Sequence, residues 1–250
     1  MPTFRHGKNT KVFIDEYDLS NQLREANVSG EADTAETSAF GTQDKTYVVG
    51  LIGSNASLSG MFSGAAGEDD ALFNSWNADD LDHVTTICHE GTGAAGTGVG
   101  RRASILPGKF YSRSVTNSLT DMVGIQAMVQ SDGPARTGLL LHDYATAETA
   151  TGNTTGQDNG AATAFGGAAH LHVPINSRNG TLIAKVQHST DNSAWSDLIT
   201  FTTINASTVG KERISLAAGT TVNRYVRGQW TIAGTTGSVS FLIAFARYTF

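Results

Sequence analysis

A chain of 250 residues with a single cysteine, Cys88, has no intramolecular disulfide to staple it, so its fold must rest on packing and hydrogen bonds. The formal net charge of −6 argues against gripping nucleic acid by neutralising phosphates, which needs clustered Lys and Arg. No stretch reaches the ~20 apolar residues of a membrane span, and the opening Met1–Lys8 lacks the apolar segment of a secretion signal.

The 28 glycines, against 4 prolines, suit short strands joined by turns, so the expected class is mainly β. Val12–Ile14 reads as a first strand running into a turn, and residues 19–28 carry few apolar positions. The segment 33–47 reads as a long polar loop. From Ser54 to Phe62, the residues Ala56, Leu58, Gly60 and Phe62 alternate with Asn55, Ser57 and Ser59, the period of a half-buried strand. In Glu68–Trp76, acids precede Ala71, Leu72 and Trp76. Asp69 or Asp70 can satisfy free amides of a first helical turn while Leu72 and Trp76 share one face, so the first half's one substantial helix is predicted here. Val84–Cys88 is a candidate strand, Ala103–Leu106 with Phe110–Val115 is another, and a further one lies within Leu119–Val129, with Ser131-Asp-Gly-Pro as a terminating turn. Residues 145–169 are nearly all Ala, Thr, Gly, Asn and Gln, too little apolar surface to offset ordering entropy, and read as a loop or weakly ordered arm. Six further strands follow, at Ala168–Val173, Thr181–His188, Leu198–Thr203, Arg213–Leu216, Tyr225–Ile232 and Ser238–Ala246, a second small sandwich.

The two halves are either copies of one domain or unrelated, and the sequence leaves both open. Ser38-Ala-Phe-Gly41 returns as Thr163-Ala-Phe-Gly166, at which offset residues 55–62 fall on 180–187. Arg102–Gly108 then resembles Arg213–Gly219 if a Gly-rich loop is missing from the second copy.

Motifs that could carry chemistry have plainer explanations. Gly91-Thr-Gly-Ala-Ala-Gly96 spells a dinucleotide fingerprint, but the following Thr-Gly-Val-Gly does not open a helix, so a flexible loop is expected, with Arg101 and Arg102 at its solvated base or against DNA or an acidic neighbour. His83, Cys88, His89, His170 and His172 lack the paired short spacings of a structural zinc site. The acids Asp69, Asp70, Asp79, Asp80 and Asp82 have no nucleophile or triad partner. No catalytic, metal or cofactor site is therefore expected. Residues 187–195 and 224–230 hold Gln187, Trp195 and Trp230, which either form a sugar-binding surface or place both tryptophans in the core.

Residues 5–131, beginning Arg5-His-Gly-Lys-Asn-Thr-Lys-Val-Phe-Ile-Asp and including the loop and strand of 33–62, resemble the tail tube proteins of long-tailed, siphovirus-like bacteriophages. Residues 138–250, ending in Phe241-Leu-Ile-Ala-Phe-Ala-Arg, resemble a domain of phage virion proteins. The resemblance implies a tail-tube-like sandwich over 1–133, a linker and flexible loop over 134–170, and the strands of a second sandwich over 171–250, in a domain beginning at about 138. It also implies a structural, non-enzymatic virion protein, assembled in the host cytoplasm, whose rings stack around a tape-measure protein between tail terminator and tail-tip proteins. DNA would pass through without specific binding. Asp33, Glu36, Phe40, Asp44, Lys45 and Tyr47 become candidates for an inter-ring arm, and Ser57, Ser59, Gln126 and Gln130 for strands facing the bore or a neighbouring subunit. A duplicated chain would close as a pseudo-sixfold trimer, a chain with one tube domain as a hexamer. The other class open to the sequence is a virion-surface carbohydrate- or receptor-binding sandwich using Trp195, Gln187 or Trp230.

Overall fold

A computed structural model describes residues 7–41, 43–90 and 98–248, and these form antiparallel strands with one α-helix. In chain order they give β1 (Lys11–Ile14), β2 (Tyr17–Asp18), β3 (Leu23–Glu36), β4 (Tyr47–Met61), α1 (Asp69–Trp76), β5 (His83–Cys88) and β6 (Arg102–Thr116). There follow β7 (Gly124–Ser131), β8 (Arg136–His142), β9 (Ala147–Glu148), β10 (Gly152–Asn153), β11 (Gln157–Asp158) and β12 (Gly167–Asn176). The last five are β13 (Leu182–Ser189), β14 (Ser196–Thr200), β15 (Gly210–Ser215), β16 (Tyr225–Ile232) and β17 (Val239–Arg247).

Two compact units interleave along the chain. A sandwich unit takes the described parts of Met1–Asn21, Val84–Ile105 and Arg136–Phe250, and a hairpin unit takes Gln22–His83 and Leu106–Ala135. This differs from the sequential division expected from the resemblance, because β1 and β5 hydrogen-bond to each other and share their core with the C-terminal strands.

In the sandwich unit, the larger sheet runs β2-β1-β5-β6-β8-β17-β12-β15, and a smaller sheet runs β10-β16-β13-β14, with β11 also on β16. Between them lies a core of Leu171, Val186, Trp230, Phe241 and neighbouring residues. A second cluster, including Phe13, Cys88, Leu140 and Leu242, covers the other face of the larger sheet. β12 and β17 are consequently buried on both faces, so burial along them is nearly continuous instead of alternating, and in β12 it takes in His170 and His172. Each large apolar side chain fully buried this way contributes roughly 1.5–3 kcal/mol. Gly138 of β8 is required by this packing: a Cβ there would stand 2.2 Å from the Phe245 carbonyl oxygen.

In the hairpin unit, β3, β4, β7 and the second part of β6 form an antiparallel sheet. Ala56, Leu58, Ile125, Ala127 and Val129 point inward with the predicted period of two, whereas Phe62 and Val123, expected in the same phase, lie beyond the paired strands and are exposed. The predicted helix is present as α1. Its Phe73 is fully buried and stacks on Phe110 at 5.6 Å, with Trp76 5.0 Å from the same ring. Asp69 Oδ1 accepts the amides of Ser63 and Asp70, while Asp70 pairs with Arg113.

Several expectations are corrected. Residues 134–170 are not a flexible linker: β8 is a central strand with Leu140 and Leu141 fully buried, and 145–169 contains three short strands. Polar bonds replace apolar burial there, since Ala150 accepts the Trp230 indole N–H at 2.9 Å, Asp158 pairs with Arg224, and Arg247 donates to the carbonyl of Asn159. The strand expected over Ala103–Leu106 and Phe110–Val115 is present as the continuous β6, where Pro107 spends its carbonyl on Ser131 and Asp132. The repeated tetrapeptide is not a repeated element either. Ser38–Gly41 lies in a loop between β3 and β4, whereas Thr163 is bridged to Val222, and the strands that follow have different partners.

Trp230 is in the core, but Trp195 is not. The Asp191 carboxylate gathers the amides of Ser193 and Ala194 into a tight turn before β14, and Trp195 is half-buried beside Gly156 with the Arg227 guanidinium 4.3 Å from its ring.

Candidate interaction surface

The segment read as a loop over 33–47 belongs mostly to a β-hairpin. β3 and β4 pair from Leu23↔Gly60 out to Glu36↔Tyr47, but β7 supports β4 only over Asn55–Met61. Beyond Ser54 the two strands continue as a ribbon paired only to each other, where every β4 residue from Tyr47 to Gly53 is exposed. Isolated two-stranded ribbons are marginal in water. This one carries Tyr47, Val48, Val49, Leu51 and Ile52 at 54%, 57%, 65%, 81% and 44% exposure. Such an uncharged, β-branched run is an association surface or an aggregation hazard.

The candidate arm residues fall on this ribbon and its end. Asp33 lies in β3 opposite Gly50 at a register shift, and Glu36 opposes Tyr47. Lys45 donates to Glu36 at 3.2 Å, Asp44 is exposed, and Phe40 is fully exposed at the loop. Thr37 and Thr46 close the loop through the Thr37 amide and Thr46 carbonyl, 2.7 Å apart. The sequence signal missed was β3 itself: both of its faces are largely exposed, so no alternation marks it. Its edge carries Glu25, Glu31, Asp33 and Glu36, charges that discourage indiscriminate strand pairing.

Ser57, Ser59, Gln126 and Gln130 do come together. Ser59 opposes Gln126, the Gln126 amide donates to Ser57 Oγ at 3.4 Å, and Gln130 donates to the Ser54 carbonyl at 3.0 Å. With Asn55 and Met128 they make a polar, uncharged face on β4 and β7, opposite the face that buries Leu58 and Val129.

The residues weighed for metal or acid–base chemistry are used elsewhere. Cys88 is fully buried, which pushes its thiol up and away from the nucleophilic thiolate. His83 meets Asp79 at 3.2 Å and packs on Trp76, and His89 meets Ser104 at 2.7 Å. The Thr86 hydroxyl lies 3.1 Å from His170 Nδ1 and 2.7 Å from His172 Nε2, while His172 Nδ1 is 2.6 Å from the Asp15 carbonyl. One hydroxyl hydrogen then assigns both rings as neutral: His170 Nδ1–H donates to Thr86, Thr86 donates to His172 Nε2, and His172 Nδ1–H donates to Asp15. Burial drives both below the ordinary histidine range, His172 down to about 4. Among the described residues no three His, Cys, Asp or Glu side chains gather as a metal site. The Gly91–Gly96 fingerprint lies outside the described residues.

No helix among the described residues is long and apolar enough to cross a membrane. No family model and no curated protein matches this sequence. Solved structures that it resembles include the tail of an empty gene transfer agent particle refined helically with C6 symmetry, at 15% identity and TM-score 0.38 over 53% of this chain and 97% of that one. A second is the SPP1 tail tube determined by solid-state NMR and cryo-EM, at 10% identity and TM-score 0.42 over 53% and 78%. A third is the SPP1 Dit protein, described as a hub adsorption apparatus in phages infecting Gram-positive hosts, at 11% identity and TM-score 0.34 over 96% and 99%.

Proposed function

We propose that this chain is a structural component of a phage tail whose copies join into rings and stack through the β3–β4 hairpin into a hollow tube. One observation carries the reading: an uncharged run, Tyr47–Ile52, held in an ordered hairpin with its apolar side chains in water. Seating Leu51 and Val49 in a neighbouring copy contributes on the order of 2 kcal/mol each. A contact of this kind, made head to tail and repeated without closing, generates a filament. The uncharged face of Ser57, Ser59, Gln126 and Gln130 suits a bore that DNA crosses without binding, or a seam between subunits. Six copies close the ring if the chain carries one tube domain, and three close it if its halves are copies. A tape-measure protein within, and terminator and tip proteins at the ends, complete the assembly.

The test is the double variant Val49→Asp, Leu51→Asp, compared with the parent by light scattering and negative-stain imaging. The parent should form rings or hollow rods, and the variant should remain dispersed with an unchanged melting midpoint. Equal assembly of the two proteins, or a parent that stays monomeric, overturns the proposal.

A further inference from the structure

A filament built by repeating one contact needs two different surfaces on each copy, because a surface that meets only itself closes at two. The β3–β4 ribbon is one such surface, and the hairpin unit carries an exposed apolar cluster at the opposite end of the same strands. Phe62 follows the last residue of β4 and donates its amide to the Val123 carbonyl at 3.0 Å. The Met122 sulfur lies 3.7 Å from the Arg24 guanidinium at the start of β3, and Leu119 stands in the same loop, between β6 and β7. Leu119 is fully exposed, Met122 is 60% exposed, and Phe62 and Val123 each show more than a third of their surface. Apolar side chains scattered singly over a surface are ordinary, but a group of them at one strand end marks a contact.

The occupant has to come from another chain. Val49 and Met61 are separated along β4 by about 40 Å at the rise of an extended strand, so a copy's ribbon does not reach its own cluster. The charges at the two ends are opposite in sign. Arg24 lies against Met122 and meets no carboxylate among the described residues, while Asp121, the acid of the loop, is occupied by the Met122 amide. On the ribbon, Glu31 and Asp33 are exposed and meet no Lys or Arg among the described residues. We propose that Phe62, Leu119, Met122 and Val123 form the seat for the Tyr47–Ile52 ribbon of a second copy, with Arg24 answering Glu31 or Asp33 across the contact. The inference rests on the reading that the ribbon stacks copies head to tail, and adds to it the surface on which the ribbon lands.

Two complementary variants of the full chain test it. Val49→Asp, Leu51→Asp spoils the ribbon and leaves the seat, and Leu119→Asp, Met122→Asp spoils the seat and leaves the ribbon. All four side chains are largely exposed, so the melting midpoints should match the parent's. Alone, each variant should need at least tenfold more protein than the parent to form rods in negative-stain images. Mixed, the two should pair and stop there, because the sound ribbon of one meets the sound seat of the other; sedimentation should show a species with the summed mass of the two particles, and no rods. The proposal is overturned if the seat variant stacks as readily as the parent, or if the mixture yields no such pair. If the ribbon variant meanwhile stays dispersed, the ribbon still stacks copies and lands elsewhere. If the ribbon variant stacks like the parent, or the parent forms no rods, the assembly reading falls together with this inference.

Discussion

Lowering the pH through the histidine range should weaken the sandwich unit in a way traceable to His172. The ring is fully buried between Thr86 and the Asp15 carbonyl, and burial, the largest cause, holds it neutral down to about 4. Lys211, paired with Asp15, pushes in the same direction, while Asp15 itself opposes. An unfolded histidine takes its proton near 6.5, so between that value and 4 the unfolded chain binds more protons than the folded one. The stabilisation is therefore complete above about pH 6.5 and is lost as the pH falls toward 4. At about 1.4 kcal/mol per pH unit, the loss is about 3 kcal/mol. Urea unfolding at a series of pH values, for the parent and for His172→Gln, isolates this contribution, because Gln can donate to Asp15 and accept from Thr86 but cannot titrate. The stability advantage of the parent should shrink by about 3 kcal/mol across the interval. A constant difference between the two proteins, or an imidazole seen by NMR to titrate near 6.5, would refute the reasoning.

Arg178 is mostly buried and donates to the carbonyls of Ala233, Gly234 and Gly237 at 2.6 to 3.1 Å, so Arg178→Ala should cost about 2–3 kcal/mol in urea unfolding by stranding that turn. Phe73→Ala removes a fully buried ring stacked on Phe110 and should cost about 3–5 kcal/mol, with loss of near-UV dichroism from Trp76. The two tryptophans should part company in thermal unfolding. Trp230→Ala should cost about 3–5 kcal/mol as a core deletion, whereas Trp195→Ala should cost about 1 kcal/mol, the scale of its contact with Arg227.

Where one face of an element is buried and the other wet, the chain announces it. Ala56 and Leu58 in β4, Ile125 to Val129 in β7, and Leu72 with Trp76 in α1 all carry the right period, and all six C-terminal strands lie within about three residues of their predicted bounds. β3 escapes because neither face is buried, and hydrogen bonding to β4, not side-chain pattern, makes it a strand. β8 escapes for the opposite reason, being short and buried along most of its length. Residues 145–169 look too polar to order, since composition does not reveal that Trp230, Arg224 and Arg247 reach across to fix their carbonyls and carboxylates. The arm residues were legible as a polar, exposed group, but the apolar run beside them gains its meaning only from having no third strand beyond Ser54.

The interleaving of the two units governs how the molecule can emerge from a ribosome. Every residue of the hairpin unit has been translated once Ala135 is added, so that unit can acquire its structure while synthesis continues. Phe13 and Cys88 must wait, since the Leu242 and Ala244 side chains they pack against belong to β17, which is translated well after the hairpin unit. During that interval the nascent polypeptide already displays Tyr47–Ile52 while its other half lacks a core, and neighbouring chains on one message could meet by those ribbons before either has finished.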